Sequence, residues 1–408
     1  MIDNSKISSF AIQAIKKLKK NNYEAYLVGG CVRDSLTGIT PKDFDVATNA
    51  TPDQVRRIFK SSRIIGRRFK LVHLYSHNEL IEIATFRAGK NSLSGDQNLV
   101  TDNLGKIIRD NVWGSINEDC QRRDFTVNAL YYCPISKEIK DFNNGLLDIR
   151  KKRIVSIGDP LQRFEEDPVR SLRAIRFSTK LGFKLDTHIK HAIYDKGHLL
   201  FGVSNARLFD EMCKLFLHGS AEKNFLKLHK FNLLKYLVHT NPDQSNFAWS
   251  MIIEASKNTD TRVKEKKSVT PGFLMACILW PHLIKISSNK SSIDIRKFYR
   301  NIDFVLKAQQ KYTAIPRSSQ SYIKDIWILQ LKLQSRIKRQ PFKLVNHRRF
   351  RAAYDFLIVR ERASGENTYL SDWWTKFQVN DEALKNILIE QRKAEENNKT
   401  FGFLGELR

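Results

Sequence analysis

The apolar positions of residues 7–20, Ile-Ser-Ser-Phe-Ala-Ile-Gln-Ala-Ile-Lys-Lys-Leu-Lys-Lys, recur at helical spacing and predict an amphipathic helix. Residues 24–28 read as a strand closed by Gly29-Gly30, and residues 32–36 as a short helix ending near Gly38. Phe44-Asp45-Val46-Ala47 predicts a second strand, and Pro52 suits the first turn of a helix that continues over residues 53–59. Residues 71–75 and 80–85 alternate apolar and polar positions, which predicts paired strands joined by a turn at Ser76-His77-Asn78. Residues 89–111 are polar and contain glycine, and predict a mobile loop. Apolar segments at 126–132, 135–142 and 153–157 complete an α+β N-terminal domain.

Beyond Asp159-Pro160 the pattern changes to helical spacing, as in Val169-Leu172-Ile175-Phe177 and Leu208-Met212-Leu215-Phe216. An all-helical remainder is expected, with loops at 255–270 and 286–292. The most apolar stretch, residues 273–280, meets Pro281 and His282 and is too short to span a bilayer, so no transmembrane segment is expected. Basic clusters with aromatics recur, as in Lys338-Arg339-Gln340-Pro341-Phe342-Lys343 and His347-Arg348-Arg349-Phe350-Arg351.

Charge narrows the choice of partner. The 408 residues hold 70 Lys and Arg against 43 Asp and Glu, a formal charge of +27. That excess, spread along the whole chain, favours a polyanion bound with steep salt dependence. A hydrophobic content of 41% is enough for a sizeable core. The five cysteines, Cys31, Cys120, Cys133, Cys213 and Cys277, are widely spaced and form no CxxC pair. This argues against a disulfide framework or a structural zinc site and suits a reducing compartment. The N-terminus lacks a signal-peptide pattern, and a cytoplasmic location is expected.

Three constellations carry chemistry. In the first, Gly29-Gly30 let backbone amides approach a triphosphate, and Arg33 can add a cationic clamp. Asp43 and Asp45 alternate along a strand, so both face one side and can hold two Mg²⁺ ions. Glu82 alternates with apolar neighbours and is the candidate third carboxylate, with a solvated strand face as the alternative. In the second, Arg122 and Arg123 suit phosphate binding. Asp124 and Asn128 can contact ribose hydroxyls or orient a metal-bound water, against a cap at Asp124 with a solvated basic pair. In the third, Pro168 marks the first turn of a helix capped by Glu166 or Asp167. Asp167 and Arg170, three apart on one face, can pair with a nucleobase edge or simply with each other.

In wording and order, Leu27-Val28-Gly29-Gly30, Arg33-Asp34, Asp43-Phe44-Asp45, Arg122-Arg123-Asp124-Phe125 and Glu166-Asp167-Pro168-Val169-Arg170 resemble the class II nucleotidyltransferases. That family comprises bacterial poly(A) polymerases and CCA-adding tRNA nucleotidyltransferases. The resemblance spans residues 23–220 and implies an α+β, polymerase-β-like palm followed by an all-α neck, body and tail. The corresponding boundaries are 1–155 for the head, 156–220 for the neck, 221–335 for the body and 336–408 for an arginine-rich tail.

The resemblance also implies roles. Asp43 and Asp45 become the metal pair for Mg²⁺, with Mn²⁺ as an alternative, and Asp124 matches an acidic position of the family, which leaves it and Glu82 as the two candidates for the third catalytic carboxylate. Gly29, Gly30, Arg33, Arg122, Arg123, Asn128, Asp167, Arg170 and Arg173 become nucleotide-binding. The segment around Gly66-Arg67-Arg68-Phe69-Lys70 and the basic tail are similar to the poly(A) polymerase branch. They nominate Arg67, Arg68, Lys70, Arg348, Arg349 and Arg351 for RNA. The implied activity is template-independent addition of AMP from ATP to the 3′ ends of mRNA and decay intermediates, promoting mRNA decay, by a monomer. CCA addition to tRNA is the alternative.

Overall fold

The computed structural model describes residues 2–66, 70–76, 79–88, 99–101, 107–110, 112–240, 247–289, 292–365, 369–379 and 381–405. The chain divides into two compact units, Met1–Leu199 and Leu200–Arg408.

The first unit runs α1 (Ser9–Lys20), β1 (Ala25–Val28), α2 (Gly30–Leu36), β2 (Asp45–Thr48), α3 (Pro52–Ile58), β3 (Ser62–Ile65), β4 (Leu71–Ser76) and β5 (Glu79–Thr85). It continues through β6 (Leu99–Thr101), β7 (Ile107–Asp110), α4 (Ile116–Gln121), β8 (Leu130–Cys133), β9 (Glu138–Asp141), α5 (Gly145–Arg150) and β10 (Arg153–Ile154). It closes with α6 (Pro160–Glu166), α7 (Val169–Leu181), β11 (Lys184–Leu185) and α8 (Thr187–Lys196).

Helix α1 shows why the N-terminal pattern is readable. Ser8 caps it by accepting from the amides of Phe10 and Ala11, and Lys17, Lys19 and Lys20 sit in its last turn, where the dipole favours cations. Its stripe of Ala11, Ala14, Ile15 and Leu18 is buried. Each of the two large aliphatics contributes about 1.5–3 kcal/mol by leaving water.

The stripe packs on a seven-stranded sheet of order β3-β4-β5-β2-β1-β8-β9, in which only β2 and β5 run parallel. Strand alternation splits the sheet's side chains between two cores. Leu27, Val46, Ile81 and Ile83 join the α1 side. Tyr26, Val28, Ala47 and Tyr131 face the other way, with Phe86 and Cys120.

Two expectations in this unit need correction. Within 89–111, β6 and β7 pair antiparallel rather than forming continuous loop, as the β-branched residues Val100, Ile107 and Ile108 favour; the rest of that segment lies outside the described residues, as do His77 and Asn78 of the expected turn. The 153–157 strand shortens to β10, which pairs in parallel with β11 outside the main sheet.

The second unit is helical: α9 (Asn205–Phe216), α10 (Ala221–Lys230), α11 (Phe247–Lys264), α12 (Pro271–Ser287), then the short pair β12 (Ser288–Asn289) and β13 (Ser292–Ile293). It continues through α13 (Ile295–Gln309), α14 (Arg317–Lys332), α15 (Gln340–Val345), α16 (Phe350–Ser364), α17 (Leu370–Phe377) and α18 (Glu382–Gly405). Here the expected loop holds over 265–270, but α11 overturns it over 255–264. Its polar letters hide a packed face, in which Ser256 and Thr259 are buried with Ala255 and the Thr259 hydroxyl donates to the Ala255 carbonyl.

Helix α12 likewise runs through Pro281. A mid-helix proline costs about 3 kcal/mol. Burial of Leu274, Met275, Ile278, Leu279, Trp280 and Leu283 offsets that cost, and Trp327 donates to the Ala276 carbonyl. No described helix is long and apolar enough to cross a membrane, and all five cysteines are free thiols.

Candidate active site

The register of the sheet assembles the site. Arg63, His73, Glu82, Asp45, Val28, Tyr131 and Lys140 are successive partners across β3, β4, β5, β2, β1, β8 and β9. Residues directly opposite one another share a face, so this row projects on the side away from α1. Asp45 and Glu82 therefore stand on neighbouring strands about 5 Å apart. Asp43 lies two residues upstream, just before β2 begins at Asp45. The expectation that both aspartates alternate within one strand is corrected to that extent.

All three carboxylates are exposed. The Asp45 carboxyl is nevertheless pushed up to about 6, first by desolvation and then by the charges of Glu82 and Asp43, against the pull of Arg123. Solvent reaches it from the open side, while protein displaces its hydration on the other. Such like-charge crowding is what a divalent cation relieves. Among the described residues no three His, Cys, Asp or Glu side chains form a ready-made metal cluster. The donors that are present, hard carboxylate oxygens open on one side, match how Mg²⁺ shares its ligands with substrate phosphates. His73, absent from the sequence-based candidates, places Nε2 3.4 Å from Glu82 Oε1. Only the cross-strand register reveals it.

A second group of acids holds cations instead. Asp119 takes Arg122 at 3.0 Å, Arg123 at 3.0 Å and the Tyr131 hydroxyl at 2.7 Å. Burial pushes the Asp119 carboxyl up, but the two guanidiniums and Tyr131 outweigh it and bring it down to about 2. Arg123 lies over the Tyr131 ring at 5.2 Å. Its Nη1 is 3.6 Å from where a Cβ on Gly29 would stand, and it makes no hydrogen bond among the described residues. Gly29 has φ +72°, a conformation that side chains strain to adopt. Its own amide donates to the Leu130 carbonyl at 3.3 Å, so that N–H is not available to a triphosphate.

A third network engages four further candidates. Arg33 is buried, with Nε and Nη2 on Asp34 and Nη1 on Asn128. Asn128 in turn donates to Asp124 at 3.0 Å. The other Asp124 oxygen accepts from Arg173 at 2.7 and 2.6 Å. Burial raises the Asp124 carboxyl, and Arg173, Asn128 and the Phe125 amide lower it by more. Asp124 is thus engaged by cation and amide donors, whereas Glu82 is the carboxylate beside Asp45. Lys180 joins through Asp34 at 2.7 Å, and the guanidiniums of Arg33, Arg173 and Arg176 surround Phe177 at 4.5–5.1 Å. The network fastens α7 to α2 and to the 124–128 segment.

Asp167 ends α6 and accepts from the Val169 amide at 3.3 Å, and Pro168 is the N-cap of α7 rather than its first residue. Arg170 donates to the carbonyls of Arg122 and Arg163 and stands 3.7 Å from Glu166. Arg163, also missed from sequence, donates to the Arg123 carbonyl at 2.7 Å and pairs with Glu166 at 2.7 Å.

Lys70 lies half-buried before β4; Arg67 and Arg68 lie outside the described residues. Arg348, Arg349 and Arg351 belong to the second unit, at the start of α16, with side chains 73%, 36% and 69% exposed.

Comparison with known proteins identifies the family. Three family profiles match: the Poly A polymerase head domain over 25–155, the probable RNA and SrmB-binding site of polymerase A over 182–246, and the polymerase A arginine-rich C-terminus over 294–401. The chain is 38% identical over 394 residues to poly(A) polymerase I of Haemophilus influenzae, covering 94% of this chain and 87% of that one. It is 33% identical over 273 residues to a CCA-adding enzyme of Lactococcus lactis, covering 62% and 65%. A solved tRNA-processing enzyme in an apo form shares the fold, with a TM-score of 0.64 at 18% identity over 96% of each chain.

Two outcomes are expected. Asp45 titrates near 6 when folded against 3.8 as a free side chain. Its ionisation therefore opposes folding: the effect is absent below both values, grows between them and is complete above the higher. Asp45→Asn is expected to stabilise the metal-free protein at pH 8 by about 1 kcal/mol, the full shift being discounted for solvent screening, with little gain at pH 4. Calorimetric melting at both pH values checks this, and destabilisation at pH 8 contradicts it. Asp124→Ala is expected to cost about 3 kcal/mol by breaking the buried ion pair with Arg173 and the hydrogen bond from Asn128 while leaving Mn²⁺ affinity unchanged. Melting and Mn²⁺ titration together check it, and lost affinity without lost stability would make Asp124 a ligand.

Proposed function

Because the chain belongs to the poly(A) polymerase I family, we propose that it is a polynucleotide adenylyltransferase, adding AMP from ATP to RNA 3′ ends without a template. The observation that carries this reading is the row that sets Asp45 beside Glu82, with Asp43 two residues upstream and the Arg123 guanidinium opposite Gly29.

On this reading Asp43 and Asp45 hold Mg²⁺, two ions, with Mn²⁺ as a substitute, and Glu82 is the third carboxylate. Bound there, the cations supply Lewis-acid activation of the RNA 3′-hydroxyl and neutralise the departing pyrophosphate. Arg123 offers Nη1 to a phosphate, held in place by Asp119 and Tyr131. Arg122, on the same anchor, adds positive charge at the rim. Gly29 keeps the turn free of side chain, and Gly30 opens α2 beside it. Asp167 and Arg170 offer an acceptor and a donor to the edge of the incoming base, which supplies nucleotide choice where no template exists. Arg33, Asn128, Asp124 and Arg173 hold α7, and with it Arg170, in position.

Head, neck, body and tail at 1–155, 156–220, 221–335 and 336–408 divide the labour between chemistry and RNA grip. Arg67, Arg68, Lys70, Arg348, Arg349 and Arg351 contribute backbone contacts to RNA.

Offering labelled ATP and CTP separately to the purified protein, with an unstructured RNA and with tRNA lacking its terminal triplet, tests the reading. AMP incorporation on both RNAs is expected, with little CMP. Asp43→Ala is expected to lower incorporation by roughly 10³-fold, since metal contacts are worth several kcal/mol in the transition state. Efficient CMP addition restricted to tRNA would turn the reading to CCA addition.

A further inference from the structure

A cavity of about 200 Å³ opens in the second unit between α11, α14 and α16. Its wall includes Asn258 and Arg262 of α11, Tyr322 of α14, and Arg348, Arg349 and Arg351 around the start of α16. Arg349 stacks on Tyr322 at 4.7 Å. Gly272 makes that placement feasible, since a Cβ there would come within 2.9 Å of the tyrosine ring.

The charges do not cancel. Asp355 takes Arg262 at 3.2 Å and Arg351 at 3.0 Å. Asp325 stands 3.6 Å from Arg348 and 3.8 Å from Arg349. Four guanidiniums therefore face two carboxylates. Three buried atoms here have no hydrogen-bond partner: Arg349 Nε and Asp325 Oδ2, which stand 3.8 Å apart with the gap between them unbridged, and the acceptor Oδ1 of Asn258 in the same wall. Buried polar groups are normally satisfied. Two carboxylates cannot neutralise four guanidiniums, and that excess calls for an anion. An unmet acceptor beside it calls for a ligand that also carries a hydroxyl or amino hydrogen.

A ribonucleotide unit of an RNA strand has both groups, a phosphodiester and a 2′-hydroxyl. We propose that this cavity is a ribonucleotide subsite: Arg349 and Arg262 take the phosphate, and Asn258 Oδ1 accepts from the 2′-hydroxyl. The inference rests on the reading that the chain acts on RNA, but it concerns a site in the other unit. Arg262 and Asn258 fall outside all three matched family segments. The subsite gives the general basicity of the chain a local, sugar-selective component.

The test is equilibrium binding, by fluorescence anisotropy without nucleotide, of labelled single-stranded RNA and DNA of one sequence to the full chain. Wild type is expected to prefer RNA. Asn258→Ala is expected to weaken RNA binding severalfold and to leave DNA binding in place. The double variant Arg262→Gln/Arg349→Gln is expected to weaken both by about tenfold or more and to flatten the salt slope by about 1 for each phosphate no longer neutralised. Arg296→Gln/Arg300→Gln removes the same charge from exposed positions of α13 and serves as the comparison.

If the double variant melts early, Ala352→Glu puts an acid into the wall without removing a partner, and the same loss is expected. Equal losses in the pocket and comparison variants overturn the proposal, as does an unchanged RNA-to-DNA ratio in Asn258→Ala. Loss of ATP binding with RNA affinity intact would assign the phosphate to a free nucleotide and overturn it too. Because no incorporation is measured, failure here is distinguishable from failure of the adenylyltransferase reading.

Discussion

The parallel pairing of β2 with β5 puts Asp45 directly opposite Glu82, and the electrostatics of the first unit follow from that register. Two carboxylates on adjacent strands, with Asp43 just upstream, repel one another and resist ionisation. A slip of one residue would turn Asp45 toward the core that holds Val46 and Ile83. The hydrophobic alternation of β1, β2 and β5 forbids that slip, so packing on the α1 side fixes chemistry on the other. The fold thereby keeps a negative cluster at the sheet surface of a chain that is otherwise strongly positive.

Around this cluster, acids and bases divide by burial. Asp119 and Asp124 are buried and taken up by arginines: one steadies Arg122 and Arg123, the other ties α7 to the 124–128 segment. Buried pairs of this kind add little net stability but are costly to break. They give the site stiffness by fixing the position of α7 and of Arg170 on it. Arg163 adds to this by joining the 121–123 segment to α6 through backbone carbonyls.

The scaffold is legible in the sequence where its signals are periodic. The α1 stripe, the strands of the sheet and the glycine turn at Gly29 follow from spacing and from the one residue type that tolerates a positive φ. The motifs mark which residues belong together, but not which of them face inward. Arg33, Asn128 and Asp124 look like ligand contacts because their side chains are polar; the structure commits them to one another. His73 escapes a reading along the chain because its closeness to Glu82 comes from strand pairing, not from chain proximity. In the second unit, α11 is hidden by small polar residues on its packed face, where the Thr259 hydroxyl bonds to the helix backbone. Pro281 reads as a break in the apolar stretch, although burial on both sides of it carries α12 through.

The central claim is that the surface carboxylates of the sheet, and not the buried ones, receive the divalent cation. Anomalous diffraction from crystals soaked with Mn²⁺ and a non-hydrolysable ATP analogue addresses it without relying on turnover. The account predicts a peak about 2.1 Å from carboxylate oxygens of Asp43 and Asp45, with Glu82 alongside. A peak at Asp124, with Arg173 displaced, or no peak between Asp43 and Asp45 would contradict it.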